Sequence, residues 1–189
     1  MEAFLISTGV VALAEIGDKT QLLALVLAAK FRKPVPIIFG ILAATIVNHA
    51  AAGAAGAWLA ATIGPTAMRW ILGLSFIAMA VWTLVPDKYE DEKQTAPRFG
   101  VFGTTLVAFF LLEMGDKTQI ATIALAAKYS SLIAVVAGTT FGMMLANVPA
   151  VLLGEVAAKR LPMGVVHGIA ASIFLLLGVL VLLGVGSLG

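Results

Sequence analysis

Residues 14–21 read AEIGDKTQ and residues 112–119 read LEMGDKTQ. Each block sets a glutamate, an aspartate and a lysine inside a long apolar run, and the blocks lie 98 positions apart. The same offset carries Ala28-Ala29-Lys30 onto Ala126-Ala127-Lys128, Gly40 onto Gly138, Gly56 onto Gly154 and Phe76 onto Phe174. Asn48 matches Asn147 with one inserted residue. A chain that repeats itself this way is two copies of one unit, so the fold must accommodate the charged motif twice.

The chain is 61% hydrophobic and 12% charged over 189 residues. Soluble domains run to about half apolar and a quarter charged, so this is a membrane composition. Six apolar runs come near the ~20 residues a helix needs to cross hydrocarbon: Phe4–Ala29, Val35–Thr62, Met68–Val85, Val101–Ala127, Leu132–Ala158 and Val165–Leu183. Turn chemistry separates them, in KFRKPVP, IGPTAMR and KRLPMG. The long polar segment Pro86–Arg98 reads as a linker between residues 1–85 and 99–189. Each half then holds three spans. Three is odd, so the second half enters the membrane from the opposite side. The expected fold is an all-α integral membrane protein, six transmembrane helices arranged as two inverted three-helix repeats.

Of the twelve Lys and Arg residues, Lys19 and Lys117 fall inside spans. Lys30, Arg32, Lys33, Lys88, Lys93, Arg98, Lys159 and Arg160 fall in the first, third and fifth loops, against Arg69 and Lys128 in the second and fourth. The positive-inside rule therefore puts the odd loops, linker included, in the cytoplasm and both termini outside. The Met-Glu start lacks the basic segment of a cleaved leader. A net charge of +2 is too small to point to nucleic acid, and without cysteine there is no thiolate metal site.

Gly17 and Gly115 lie near the middle of their runs, which places both motifs at membrane mid-depth. On a continuous helix Glu15, Asp18 and Lys19 share one face, as do Glu113, Asp116 and Lys117. The glycines allow either close helix approach or a local unwinding that turns carbonyls toward a ligand. An ionised group at the bilayer centre costs about 2.5–3.5 kcal/mol, so six facing lipid would cost on the order of 15–20 kcal/mol. They must face one another, water or an ion. Four carboxylates against two ammoniums leave −2 when all are ionised, which one divalent cation or two protons would neutralise. A helix-locking ion-pair network would leave that charge uncompensated. The oxygen donors suit Mn²⁺, Ca²⁺ or Mg²⁺.

Other polar residues accompany the acids. Asn48 and Asn147 fall near mid-span, either as oxygen donors to the ion or as interhelical hydrogen bonders. Thr20 and Thr118 are expected to bond back to their own helix, and Gln21 and Gln119 to act as ligands or as supports of ligands. His49 could relay protons but has no counterpart, since Val148 follows Asn147. Glu155 precedes Lys159 by four residues and fits an interfacial pair. Gly138–Gly142 and the run AAGAAGA at residues 51–57 fit close helix packing. Met114, Met143 and Met144 are the thioethers that would disfavour Ca²⁺ if they reached the ion.

Twin E-x-G-D-K-T motifs in a six-span chain of this length resemble the family that includes the Golgi manganese/calcium transporter linked to glycosylation, chloroplast manganese transporters and bacterial manganese exporters. The resemblance covers essentially the whole chain. It implies cation/proton antiport and no enzymatic activity, with Glu15, Asp18, Glu113 and Asp116 as cation ligands and no prosthetic group. Divalent metal, protons and membrane lipid are the implied partners. The short central loop looks bacterial, which implies the plasma membrane. The expected function is export of Mn²⁺, or Ca²⁺, in exchange for protons by alternating access. Two other readings fit the residues less well. An intramembrane aspartyl protease would not need the paired lysines and extra glutamates. An exporter of small organic cations would want aromatic residues beside the motifs, and none adjoins them.

Overall fold

Backbone N–H and C=O groups find no water in hydrocarbon, and the α-helix satisfies them within a single segment. The computed structural model describes residues 1–85, 99–153 and 163–185, and every regular element among them is an α-helix. These are α1 (Glu2–Glu15), α2 (Lys19–Phe31), α3 (Pro34–Thr62), α4 (Pro65–Thr83), α5 (Gly100–Glu113), α6 (Lys117–Lys128), α7 (Leu132–Leu153) and α8 (Met163–Leu182). Four of them, α3, α4, α7 and α8, are long and apolar enough to cross a membrane alone. Among the described residues the protein is all-helical, with the long apolar helices of an integral membrane protein. The linker Pro86–Arg98 lies outside the described residues, as do Gly154, Glu155, Lys159 and Arg160.

The apolar runs Phe4–Ala29 and Val101–Ala127 do not form single helices. Each is split at its motif, into α1 and α2 and into α5 and α6. The other boundaries follow local chemistry. Arg32 closes α2 in the left-handed conformation, φ 53°, with its N–H on the Ala28 carbonyl. Pro34 and Pro65 each sit at the first helical position, where a missing N–H costs nothing.

Helix α1 lies along α7, α4 lies along α8, and α3 touches α5, α6 and α7. Small residues set these approaches. A Cβ on Gly40 of α3 would meet Thr105 of α5 at 2.7 Å, and one on Gly138 of α7 would meet the Phe4 carbonyl of α1 at 2.5 Å and Ser7 at 3.0 Å. Gly142 is similarly tight against Thr8, and Gly53 and Gly56 of α3 lie against α7 and α6. Gly40 and Gly138 are 98 positions apart, as are Ser7 and Thr105, so each half packs its long helix on the other half in the same way. Phe76 of α4 and Phe174 of α8, also 98 apart, stack on each other with centroids 6.4 Å apart.

The apolar interior is in two parts. One joins Val10 and Ala14 of α1 with α4, α6 and α8, around Met68, Phe76, Leu125 and Phe174. The other joins α2, α3, α5 and the end of α7, around Leu27, Ile41, Phe109 and Val151. Each motif lies where the chain leaves one part for the other: α1 and α6 belong to the first, α2 and α5 to the second. The two charged breaks are thus held between two apolar bodies.

Candidate cation site

The breaks have one local cause, written twice. Ile16 at φ −64°, ψ 117° and Gly17 at φ 84° form the centre of a type II turn, closed by the Asp18 N–H on the Glu15 carbonyl at 3.0 Å. Met114 (φ −64°, ψ 120°) and Gly115 (φ 76°) repeat it, with Asp116 N–H to Glu113 carbonyl at 3.1 Å. The third turn residue needs positive φ, which glycine supplies without a Cβ penalty. A new helix then starts with Asp18 or Asp116 as N-cap. Gln21 and Gln119, three residues further on, reach back and accept the N–H of Gly17 (2.9 Å) and Gly115 (2.7 Å). This is a variant of the capping box, and its D-x-x-Q signature after a glycine is the sequence signal for the break.

One expectation is corrected here: the motif is not a continuous helix, so Glu15, Asp18 and Lys19 do not share one helical face. Of the two roles open to the glycines the turn uses the unwinding, with both at positive φ, and nothing lies within 4 Å of a Cβ built on Gly115.

The unwinding brings the two motifs together. Lys19 Nζ lies 2.9 Å from Asp116 Oδ1, and Lys117 Nζ lies 2.7 Å from Asp18 Oδ1. Each lysine crosses to the aspartate of the other motif. Glu15, Asp18 and Asp116 are buried, and one carboxylate oxygen from each lies within 4.8 Å of the others. Oxygens bound to one Mn²⁺ or Ca²⁺ at about 2.2–2.5 Å can stand at most about 5 Å apart, so the spacing fits a common ion. The N-termini of α2 and α6 begin beside the crossed pairs, and their positive dipole ends favour the carboxylates there.

Glu113 stands outside that trio. Its Oε1 lies 3.4 Å from Nε2 of the fully buried His49 and accepts the Thr118 hydroxyl. Thr20 likewise donates to Glu15 Oε1. Both threonine hydroxyls therefore serve the motif glutamates and not, as expected, their own helix, because the turn folds Glu and Thr onto one another. Gln21 also donates to the Ala146 carbonyl at 3.0 Å, so its amide is committed to backbone.

The asparagines diverge. Asn48 donates to the Phe110 carbonyl of α5 at 3.1 Å, an interhelical bond. Asn147 donates to Glu15 Oε1 at 3.0 Å. Among the methionines, Met114 is 56% exposed and Met144 packs beside the second apolar part. Met143 is fully buried, with its sulfur 3.3 Å from the Asn147 amide nitrogen.

A helical membrane protein with a buried trio of carboxylates from two crossed motifs has the make-up of an ion carrier. The family model for the divalent cation/proton antiporter GDT1 matches residues 3–91 and 101–187, and the chain belongs to that family of transporters. It is 48% identical over 178 residues to a Vibrio cholerae protein named "Putative manganese exporter", covering 94% of this chain and 88% of that one. It is 28% identical over 201 residues to the rice GDT1-like protein 4, covering 92% of this chain and 70% of that one. No solved structure gives a significant match.

Proposed function

We propose that the protein exports Mn²⁺ from the cytoplasm in exchange for protons, through one cation site shared by the two motifs. The observation that carries this reading is the trio Glu15, Asp18 and Asp116: three buried carboxylates, from both motifs, spaced for one ion. Glu113 completes the four acids beside His49. The name of the Vibrio relative supports manganese as the cargo, and the family description supports exchange against protons.

In this reading α1 with α2, and α5 with α6, each cross the membrane as one broken span. Six spans then form two inverted three-helix repeats, residues 1–85 and 99–189, joined by a cytoplasmic linker at 86–98, with both termini outside a bacterial plasma membrane. The exchanged contacts Gly40–Thr105 and Gly138–Ser7 support the inversion. So do the crossed pairs Lys19–Asp116 and Lys117–Asp18. Mechanistically, the lysine ammoniums and a divalent cation compete for the same aspartates. With the ammoniums on Asp18 and Asp116 and protons on Glu15 and Glu113, the site can change its access without an unpaired buried charge; with the cation bound, the carboxylates close on it instead. Protons arriving from outside neutralise the acids and release the cation.

Proteoliposome flux tests this. An imposed pH gradient is expected to drive Mn²⁺ movement, with Ca²⁺ slower and Mg²⁺ slowest. Flux that ignores the pH gradient would defeat the antiport reading, and preferred Ca²⁺ would replace manganese as cargo.

A further inference from the structure

The amide of Asn147 is fully buried, and its two ends meet different surroundings. Its Nδ2 lies 3.0 Å from Glu15 Oε1, 3.1 Å from the Met143 carbonyl and 3.3 Å from Met143 Sδ. The Met143 carbonyl and thioether can only accept, and so can Glu15 Oε1 while it is ionised, so an oxygen in that position would have no donor. The nitrogen is therefore the end these surroundings hold whenever Glu15 is ionised, as it is with a cation bound. Its Oδ1 is left on the other side, buried and with no donor among the described residues. A buried amide oxygen without a partner carries an unmet desolvation cost, which a cation or a donor would relieve. The same holds for Glu15 Oε2, on the carboxylate that Asn147 touches. Asn48, the repeat counterpart, is differently placed: its nitrogen donates to the Phe110 carbonyl of α5, where that of Asn147 meets the Glu15 carboxylate.

We propose that Asn147, and not Asn48, supplies its Oδ1 to the transported cation as a neutral ligand beside Glu15, Asp18 and Asp116, with Met143 as the positioning residue that fixes the amide. This rests on the cation site proposed above. A neutral oxygen completes coordination without adding charge, so the shell gains a ligand while the −2 balance of acids and lysines is kept. It also makes the site unequal in its debt to the two halves: the long helix of the second half touches the ion and that of the first does not. In this assignment the thioether of Met143, 3.3 Å from Nδ2, holds the amide nitrogen and so sets the angle of Oδ1 without being a ligand.

The chain contains two asparagines, Asn48 and Asn147, which makes a direct test available. Purified full-length protein carrying ¹³C at the asparagine side-chain carbonyl, loaded with Mn²⁺, is examined by electron–nuclear double resonance. A ¹³C coupling of a bound carbonyl is expected in the wild type and in Asn48→Ser, and not in Asn147→Ser. Asn147→Ser is also expected to bind Mn²⁺ roughly tenfold more weakly, and Met143→Leu roughly threefold more weakly with the coupling reduced but present. Absence of coupling in the wild type, or its loss in an Asn48→Ser protein that still binds Mn²⁺, overturns the assignment; the wild-type spectrum decides even if a variant fails to fold. Asp18→Asn measured alongside separates the two claims. If it binds Mn²⁺ at wild-type affinity, the shared cation site itself fails; if it loses Mn²⁺ while the wild type shows no coupling, Asn147 alone is wrong.

Discussion

The two motifs share E-x-G-D-K-T-Q and one backbone, yet they do not have one environment. Both build the same type II turn and the same glutamine return and start the next helix at an aspartate, although the Asp116 side chain accepts the Thr118 N–H and Asp18 makes no such cap bond. Around them the halves part. The pair Lys117–Asp18 is buried at both ends, with Lys117 only 2% exposed, whereas Lys19 in the pair with Asp116 is 25% exposed. Glu15 meets Asn147, while Glu113 meets His49. Helix α6 packs on α3, α1 and α7 as α2 packs on their counterparts α7, α5 and α3, and it packs on α4 besides. Local structure follows the repeated residues. The site follows the residues that do not repeat: His49 against Val148, and the single insertion before Asn147. A duplicated motif can thus supply two like halves of a site while the flanking helices assign them unlike tasks.

The buried lysine provides the sharpest contrast. Lys117→Met takes the ammonium from a buried aspartate, a change that costs about 3–5 kcal/mol when the remaining charge stays ionised. Thermal unfolding in detergent is expected to show a large loss for Lys117→Met and a clearly smaller one for Lys19→Met, whose partly exposed pair is better solvated. Mn²⁺ should restore more stability to Lys117→Met than to the wild type, since the cation takes over the freed Asp18. Equal losses in the two variants would show that the burial difference carries no energetic weight.

The glutamates come next. Glu15 belongs to the carboxylate trio and Glu113 to the His49 contact. Glu15→Gln is expected to weaken Mn²⁺ binding roughly tenfold, about 1.4 kcal/mol, and Glu113→Gln by less. Direct titration of both variants checks the order, and a reversed order would move the cation toward His49. The smallest effect belongs to the feature the motifs share. Gly115→Ala places a Cβ in open space but at φ 76°, so its cost is conformational, about 1 kcal/mol. Gly17→Ala, at φ 84°, should cost about the same in the same unfolding measurement. A marked difference would mean that the turns are not equivalent after all.

Much of this is legible in the residues. The apolar runs give the long helices: α3, α4 and α8 fall where they are expected within a few residues, and α7 starts where expected, residues 154–158 of that run lying outside the described residues. Six charges in apolar runs require that the motifs meet something other than lipid. The helix break is also written, in a glycine before D-x-x-Q, but a surrounding run of apolar helix formers hides it. The crossing of Lys19 and Lys117 is not legible, because spacing along one chain segment says which residues share a face and not which segment lies opposite. The same limit applies to Thr20 and Thr118, whose hydroxyls turn to the glutamates only once the turn exists. It applies as well to Asn48 and Asn147, which look equivalent until their neighbours are known.

The central claim is that the two motifs make one cation site. The most direct measurement is the Mn²⁺ stoichiometry and affinity of the wild type, Asp18→Asn and Asp116→Asn by calorimetry on purified, folded protein. A shared site gives one Mn²⁺ per chain in the wild type, and each single substitution weakens binding by roughly ten- to a hundredfold. The double variant then loses less than the sum of the two, because the site is already broken. Two Mn²⁺ per chain, with each single variant keeping one at full affinity, would contradict it.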